Sequence, residues 1–75
     1  MKPTRSVRRQ FAENLRRHRQ RLGLSQEALA DICDLHRTEI SLLERGKRSP
    51  RLDTIVILAR GLQLHSAGEL LEGID

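Results

Sequence analysis

Val7, Phe11, Leu15, His18 and Leu22 recur four, four, three and four residues apart, and the arginines between them fall on the other faces. That is one side of a 3.6-residue period, and it predicts a first helix. Gly23 stops it by taking the left-handed backbone that closes a helix. Ser25 then offers an N-cap hydroxyl, with Glu27 in the favourable first turn of a second helix. This helix is short: Leu29, Ala30, Ile32 and Cys33 pack, and Asp34 ends it. A third helix runs from His36 or Arg37 to Glu44, with Ile40 and Leu43 inward, and Gly46 breaks it. A fourth starts just after Pro50 with a core face of Leu52, Ile55, Leu58 or Ala59, and Leu62; Gly61 weakens or terminates it. A fifth, short helix is expected from about Ser66 to Leu71, where Ser66 and Glu69 form a capping box. Period-two alternation is absent, so no strand is expected.

Seventy-five residues make one small domain. A domain of this size buries only about 60% of the surface its unfolded chain exposes, so stability is thin and a two-fold partner would add to it. Residues 1–6 read as a flexible basic arm and residues 7–75 as the folded domain. No run approaches the ~20 apolar residues of a membrane span, and the charged N-terminus carries no signal-peptide core. A cytoplasmic chain is expected, which suits a single cysteine, Cys33, with no internal disulfide partner.

The net charge of +4 conceals a strong asymmetry. Residues 1–21 hold eight basic side chains against one acid, Glu13, and residues 45–51 add Arg45, Lys47, Arg48 and Arg51. Beyond Leu52 the sign reverses, with Asp53, Glu69, Glu72 and Asp75 against Arg60. A polarised surface of this kind suits a polyanion on its basic side, where a solvated charged surface is the plain alternative.

The stretch Gln26 to Arg45 meets the steric needs of two short helices crossing steeply at a tight turn. Leu29, Cys33, Leu35, Ile40 and Leu43 supply apolar contacts, and Ala30 is small where the third helix crosses. Asp34 sits where a left-handed backbone is expected, a conformation Asp tolerates less well than Gly. These residues carry a resemblance. The blocks Leu24-Ser25-Gln26-Glu27-x-Leu29-Ala30, Ile40-Ser41-x-x-Glu44-Arg45-Gly46-Lys47-Arg48-x-Pro50 and Leu58-Ala59-x-x-Leu62 are similar to the Xre-type helix-turn-helix regulators, the phage-repressor and Cro-like family. The likeness spans roughly Phe11 to Leu71. Leu35-x-Arg37-Thr38, in so short a chain, also resembles the controller proteins of restriction–modification systems. The implied fold is all-α, a single five-helix domain of the phage-repressor type with its helix-turn-helix at helices two and three. Three positions depart from the family: Asp34 replaces Gly, His36 replaces a capping Ser, Thr or Asp, and Ala28 replaces the acid of the box that Ser25 opens. A His cap is poorer, although Glu39 can still reach back.

The resemblance implies that the third helix, about residues 37–44, lies in the major groove of double-stranded DNA. Its outward positions are Arg37, Thr38, Ser41 and Leu42. Arg37 suits guanine O6 and N7; Thr38 and Leu42 suit a thymine methyl. An ordinary surface arginine paired with Glu39 or Asp34 is the alternative for Arg37. Gln26, Arg45, Lys47 and Arg48 are expected on phosphates, Gln26 at a helix N-terminus where free N–H groups attract anions. Arg19 and Glu44 match the family's salt-bridged pair between the first and third helices, a structural role. Leu62, Leu64, Leu70, Leu71 and Ile74 exceed what one short helix buries and are assigned to a homodimer interface on a palindromic operator, though some must close the chain's own core. No nucleophile–base pair is visible, and His18, His36 and His65 share no ligand spacing, so no enzyme, cofactor or metal is expected. The rival readings are an antitoxin-like protein-interaction module that also binds DNA, and an RNA-binding domain. Scarce aromatics argue against the second.

Overall fold

The structure, a computed structural model, describes the backbone of residues 4–74 and the side chains of residues 7–74. The first helix, α1, spans Thr4–Arg21. It therefore starts three residues ahead of Val7, because Thr4, Arg5 and Ser6 contain no helix breaker. Residues 1–3 of the expected arm lie outside the described residues. The side of α1 that packs inward holds Phe11, Ala12, Asn14, Leu15 and His18. Val7 and Leu22, expected on this stripe, are instead 37% and 44% exposed, each at an end of the helix beyond the buried stretch.

Then follow α2 (Gln26–Cys33), α3 (Arg37–Glu44) and α4 (Leu52–Gly61). The expected fifth helix is a 3-10 turn over Ala67–Leu71, so the architecture is four α-helices and one such turn. Five residues with Gly68 among them are too few to sustain an α-helix. Its N-terminus is nonetheless closed as expected on the acidic side: the Glu69 carboxylate accepts from the backbone N–H groups of Ser66 at 3.2 Å and His65 at 2.6 Å. Among the described residues there is no strand.

All four α-helices stop in the same way. The first residue after α2, and the second after α1, α3 and α4, takes a positive φ, and the N–H that follows it reaches back five residues to a carbonyl. These bonds are Leu24 to Arg19, Leu35 to Ala30, Lys47 to Leu42 and Leu64 to Ala59. The left-handed residue is Gly23 or Gly46 in two cases, and Asp34 (φ 56°) or Gln63 (φ 60°) in the others. Gly61 is thus not the stop of α4. A Cβ there would overlap Cys33 Sγ and come within 3.3 Å of Ile32 Cγ2, so this glycine lets α2 and α4 approach.

α1 packs on α3 and on the 3-10 turn, α2 packs on α3 and α4, and α4 packs on the turn. Phe11, Leu15, Leu29, Ile40, Leu43, Leu58 and Leu70 fill the centre at under 2% exposure. Fully buried Asn14 donates from Nδ2 to the carbonyls of Leu70 (2.9 Å) and Glu72 (2.8 Å), fastening the C-terminal segment to α1. Two residues assigned to a dimer interface are corrected here. Leu62 and Leu70, at 2% and 0% exposure, close the chain's own core. Leu64 and Ile74 also lean on that core while staying partly exposed, and Leu71 remains 39% exposed. Leu52, expected inward, is 80% exposed, and Ile32 is 55% exposed; α4 instead buries Thr54, Ile55, Leu58 and Ala59.

Candidate nucleic-acid interface

Position of α3 is fixed by Glu44 at its last turn. This side chain is wholly buried and takes Arg19 Nε at 2.6 Å and Nη2 at 2.9 Å. Arg16 lies 3.5 Å away, and Gln26 donates from Nε2 at 3.1 Å. Burial alone raises the pKa of Glu44, but the hydrogen bonds from Arg19 and Gln26 and the charges of Arg19 and Arg16 together outweigh it. The carboxyl is held below its ordinary value, so Glu44 is an anion at neutral pH. The hydrogen bond to Glu44 likewise raises the pKa of Arg19, against the effect of burial.

α2 begins where Ser25 Oγ accepts from the Ala28 N–H at 3.0 Å. α3 has no equivalent: His36 makes no side-chain cap. Glu39 does not compensate, because its carboxylate takes Arg48 Nη1 at 2.8 Å. Ile40, Leu43 and Glu44 face inward from α3. Arg37 and Thr38 are exposed, and Ser41 and Leu42 are half-buried, so all four share the outer side of the helix. Arg37 makes no ion pair among the described residues, so neither Glu39 nor Asp34 engages it.

The loop after α3 presents Arg45, Lys47 and Arg48, all exposed, and is anchored rather than loose. Gly46 (φ +67°) sits against the backbone of α1, where a Cβ would lie 3.8 Å from Arg9 Cα. Arg8 Nε donates to Ser49 Oγ at 3.0 Å. Between this loop and α1 opens a cleft of about 370 Å³, with Arg9, Arg16, Arg45 and Lys47 on its walls. Gln26, expected on a phosphate, sits at the start of α2 but spends its amide on Glu44; only its neighbouring backbone N–H groups are committed to nothing but the cap.

Three features here escaped the sequence reading: the Glu39–Arg48 pair, the Arg8–Ser49 tie and Arg16 beside Glu44. None leaves a periodic signal: the first two depend on the path of the loop that carries Arg48 and Ser49, and the third on how α1 lies across α3. Asn14 was legible in principle, because it stands three residues after Phe11 and four before His18 on the buried side of α1.

The helix-turn-helix family profile HTH_3 matches residues 15–68, most of the chain. The chain belongs to this family of DNA-binding helix-turn-helix regulators. It is 50% identical over 52 residues to the control protein C.SmaI of Serratia marcescens, covering 69% of this chain and 62% of that one. With the control protein C.BamHI of Bacillus amyloliquefaciens it shares 43% over 60 residues, covering 79% and 74%. Its fold matches that of the restriction-modification controller protein C.AhdI from Aeromonas hydrophila at a TM-score of 0.83 and 37% identity, covering 87% of this chain and 97% of that one. A hypothetical transcription factor, NHTF, from Neisseria matches at 0.84 and 35% identity, over 95% of this chain and 80% of the other. Relatives thus include restriction–modification controllers, as the Leu35-x-Arg37-Thr38 segment implied. Among the described residues, no helix is long and apolar enough to cross a membrane.

Proposed function

We propose that the chain binds a palindromic double-stranded operator as a homodimer and regulates transcription, with the N-terminal half of α3 in the major groove. The observation that carries this reading is the two-sided character of α3. Its inner residues are locked in the core through Ile40, Leu43 and Glu44, while Arg37 and Thr38 stand exposed at its start. A rigid helix offering a free guanidinium and a hydroxyl-methyl pair has the chemistry for guanine O6 and N7 and for a neighbouring thymine. Ser41 and Leu42 extend the same side. Arg45 and Lys47, on a loop held against α1, are the backbone contacts, joined by the N-terminal amides of α2 at Gln26. The chain's likeness to control proteins and to a restriction-modification controller protein favours control of a restriction–modification gene pair as the setting.

The dimer reading rests on apolar surface that the single chain leaves uncovered. Leu71, Leu64 and Ile74 keep their assignment, and Ile57 on α4, 36% exposed, joins them. α4 and the 3-10 turn are packed neighbours, so this surface can be shared by one partner. Selection of bound duplexes from a random pool, with sedimentation of the complex, tests both parts. A two-fold symmetric site with half-sites ~10 base pairs apart, bound by two chains, is expected. An asymmetric site bound by one chain contradicts the dimer, and failure to enrich any site contradicts sequence-specific binding.

A further inference from the structure

One ion pair joins the recognition helix to the basic loop. Glu39 lies in the first turn of α3, beside Thr38, and its carboxylate holds Arg48 Nη1 at 2.8 Å. The Glu39 side chain is only 23% exposed, whereas that of Arg48 is 52% exposed. An acid next to the base-facing residues repels a polyanion unless a cation covers it. Arg48 supplies that cation, and in doing so it is no longer an uncompensated charge for the backbone. Arg45 and Lys47, its neighbours on the loop, form no ion pair among the described residues.

We infer that Glu39 is a brake on sequence-independent DNA binding: by holding Arg48 it cancels one of the four loop cations Arg45, Lys47, Arg48 and Arg51. This inference rests on the DNA-binding reading above. Non-specific affinity comes almost wholly from phosphate neutralisation and the counterions it releases. Removing one effective cation from the loop therefore lowers affinity for any duplex and leaves discrimination to Arg37 and Thr38. Glu39 acts through Arg48, as a positioning residue, and touches no base.

Glu39→Gln tests this in the full chain, because it keeps the shape and an acceptor for Arg48 but removes the charge. Exposed pairs of this kind contribute little to stability, and thermal melting checks that the variant is folded. Titrations use one random-sequence duplex and one selected duplex across a range of salt. On the random duplex the variant should bind about fivefold more tightly at ~0.15 M salt, with a salt slope steeper by about 0.9, the contribution of one more neutralised phosphate. The double variant Glu39→Gln/Arg48→Gln has the wild-type net charge and should return both quantities to near wild type. An unchanged slope and affinity in a folded Glu39→Gln protein overturns the inference. So does a Glu39→Gln protein that loses preference at one base pair of the selected duplex, since Glu39 would then be reading cytosine N4 directly. If the wild-type chain binds neither duplex, the DNA-binding reading itself fails, an outcome distinct from the other two.

Discussion

Arg19 grips both carboxylate oxygens of Glu44, Nε on Oε2 at 2.6 Å and Nη2 on Oε1 at 2.9 Å, while its Nη1 donates to the Leu24 carbonyl at 2.7 Å. One guanidinium thus ties α1, the turn before α2 and the end of α3. Glu44→Ala leaves Arg19, with 12% of its side chain exposed, charged and without its partner. Breaking a buried pair from one side costs about 3 kcal/mol or more, a large share of the stability of so small a domain. Urea unfolding should show a midpoint far below wild type or no folded baseline. A midpoint close to wild type would mean that the pair carries no structural load.

Acid should act through the same group. The folded-state pKa of Glu44 lies below its ordinary value of 4.5, so the unfolded chain takes up the proton first as pH falls. The stability it contributes is fully present above about pH 5 and drains away as pH drops through 4.5 toward the folded-state value. Glu69 shifts in the same direction, chiefly through the backbone N–H of His65. Unfolding free energies measured between neutral and acid pH should therefore fall in this window. Glu44→Gln should have a shallower fall there, with the Glu69 part retained; an identical pH profile would contradict the assignment.

Gly61 provides a packing test. Alanine is the better helix former by ~1 kcal/mol, yet its Cβ overlaps Cys33 Sγ in the seam between α2 and α4. Overpacking of this sort costs ~1–3 kcal/mol, so Gly61→Ala should be net destabilising. Cys33→Ala in the same chain removes the overlapping sulfur and should recover part of the loss. Thermal melts of the two single variants and the double form the cycle. Simple additivity would show that the two positions do not collide.

The order of the four α-helices and the ends of three of them were legible because periodicity and punctuation agree: Gly23, Asp34 and Gly46 close these helices where the spacing of apolar residues also stops. Gly61 misled for a physical reason. A glycine near a helix end signals either a left-handed stop or a close approach, and only the position of Cys33 tells which. Leu52 and Ile32 misled because an apolar residue at a helix edge satisfies the inward period nearly as well as its neighbour does. Of the candidate site, the outer side of α3 was legible, since Arg37, Thr38, Ser41 and Leu42 fall away from the side on which Ile40, Leu43 and Glu44 turn inward. Which loop cation is compensated was not, because the Glu39–Arg48 pair depends on how the loop folds back.

Lys47 separates the proposed backbone contacts from Arg48. It has no acidic partner among the described residues, and Gly46 beside it is docked on α1. Lys47→Ala should weaken selected and random duplexes by a similar factor and lower the salt slope of log K by about 0.9. Titration of both duplexes at several salt concentrations measures this. A variant with altered base preference and an unchanged slope would place Lys47 on a base edge instead.

Arg37 bears the central claim, that the exposed start of α3 reads sequence. The direct measurement is duplex selection from one random pool by the wild-type chain and by Arg37→Ala, followed by titration of the enriched site. Wild type should enrich a two-fold symmetric sequence with a guanine in each half-site. Arg37→Ala should lose its preference at that guanine pair, a cost of about 1–3 kcal/mol for each contact, while binding random duplex nearly as well as before. An Arg37→Ala protein that enriches the same sequence with the same preference at every position would contradict the account.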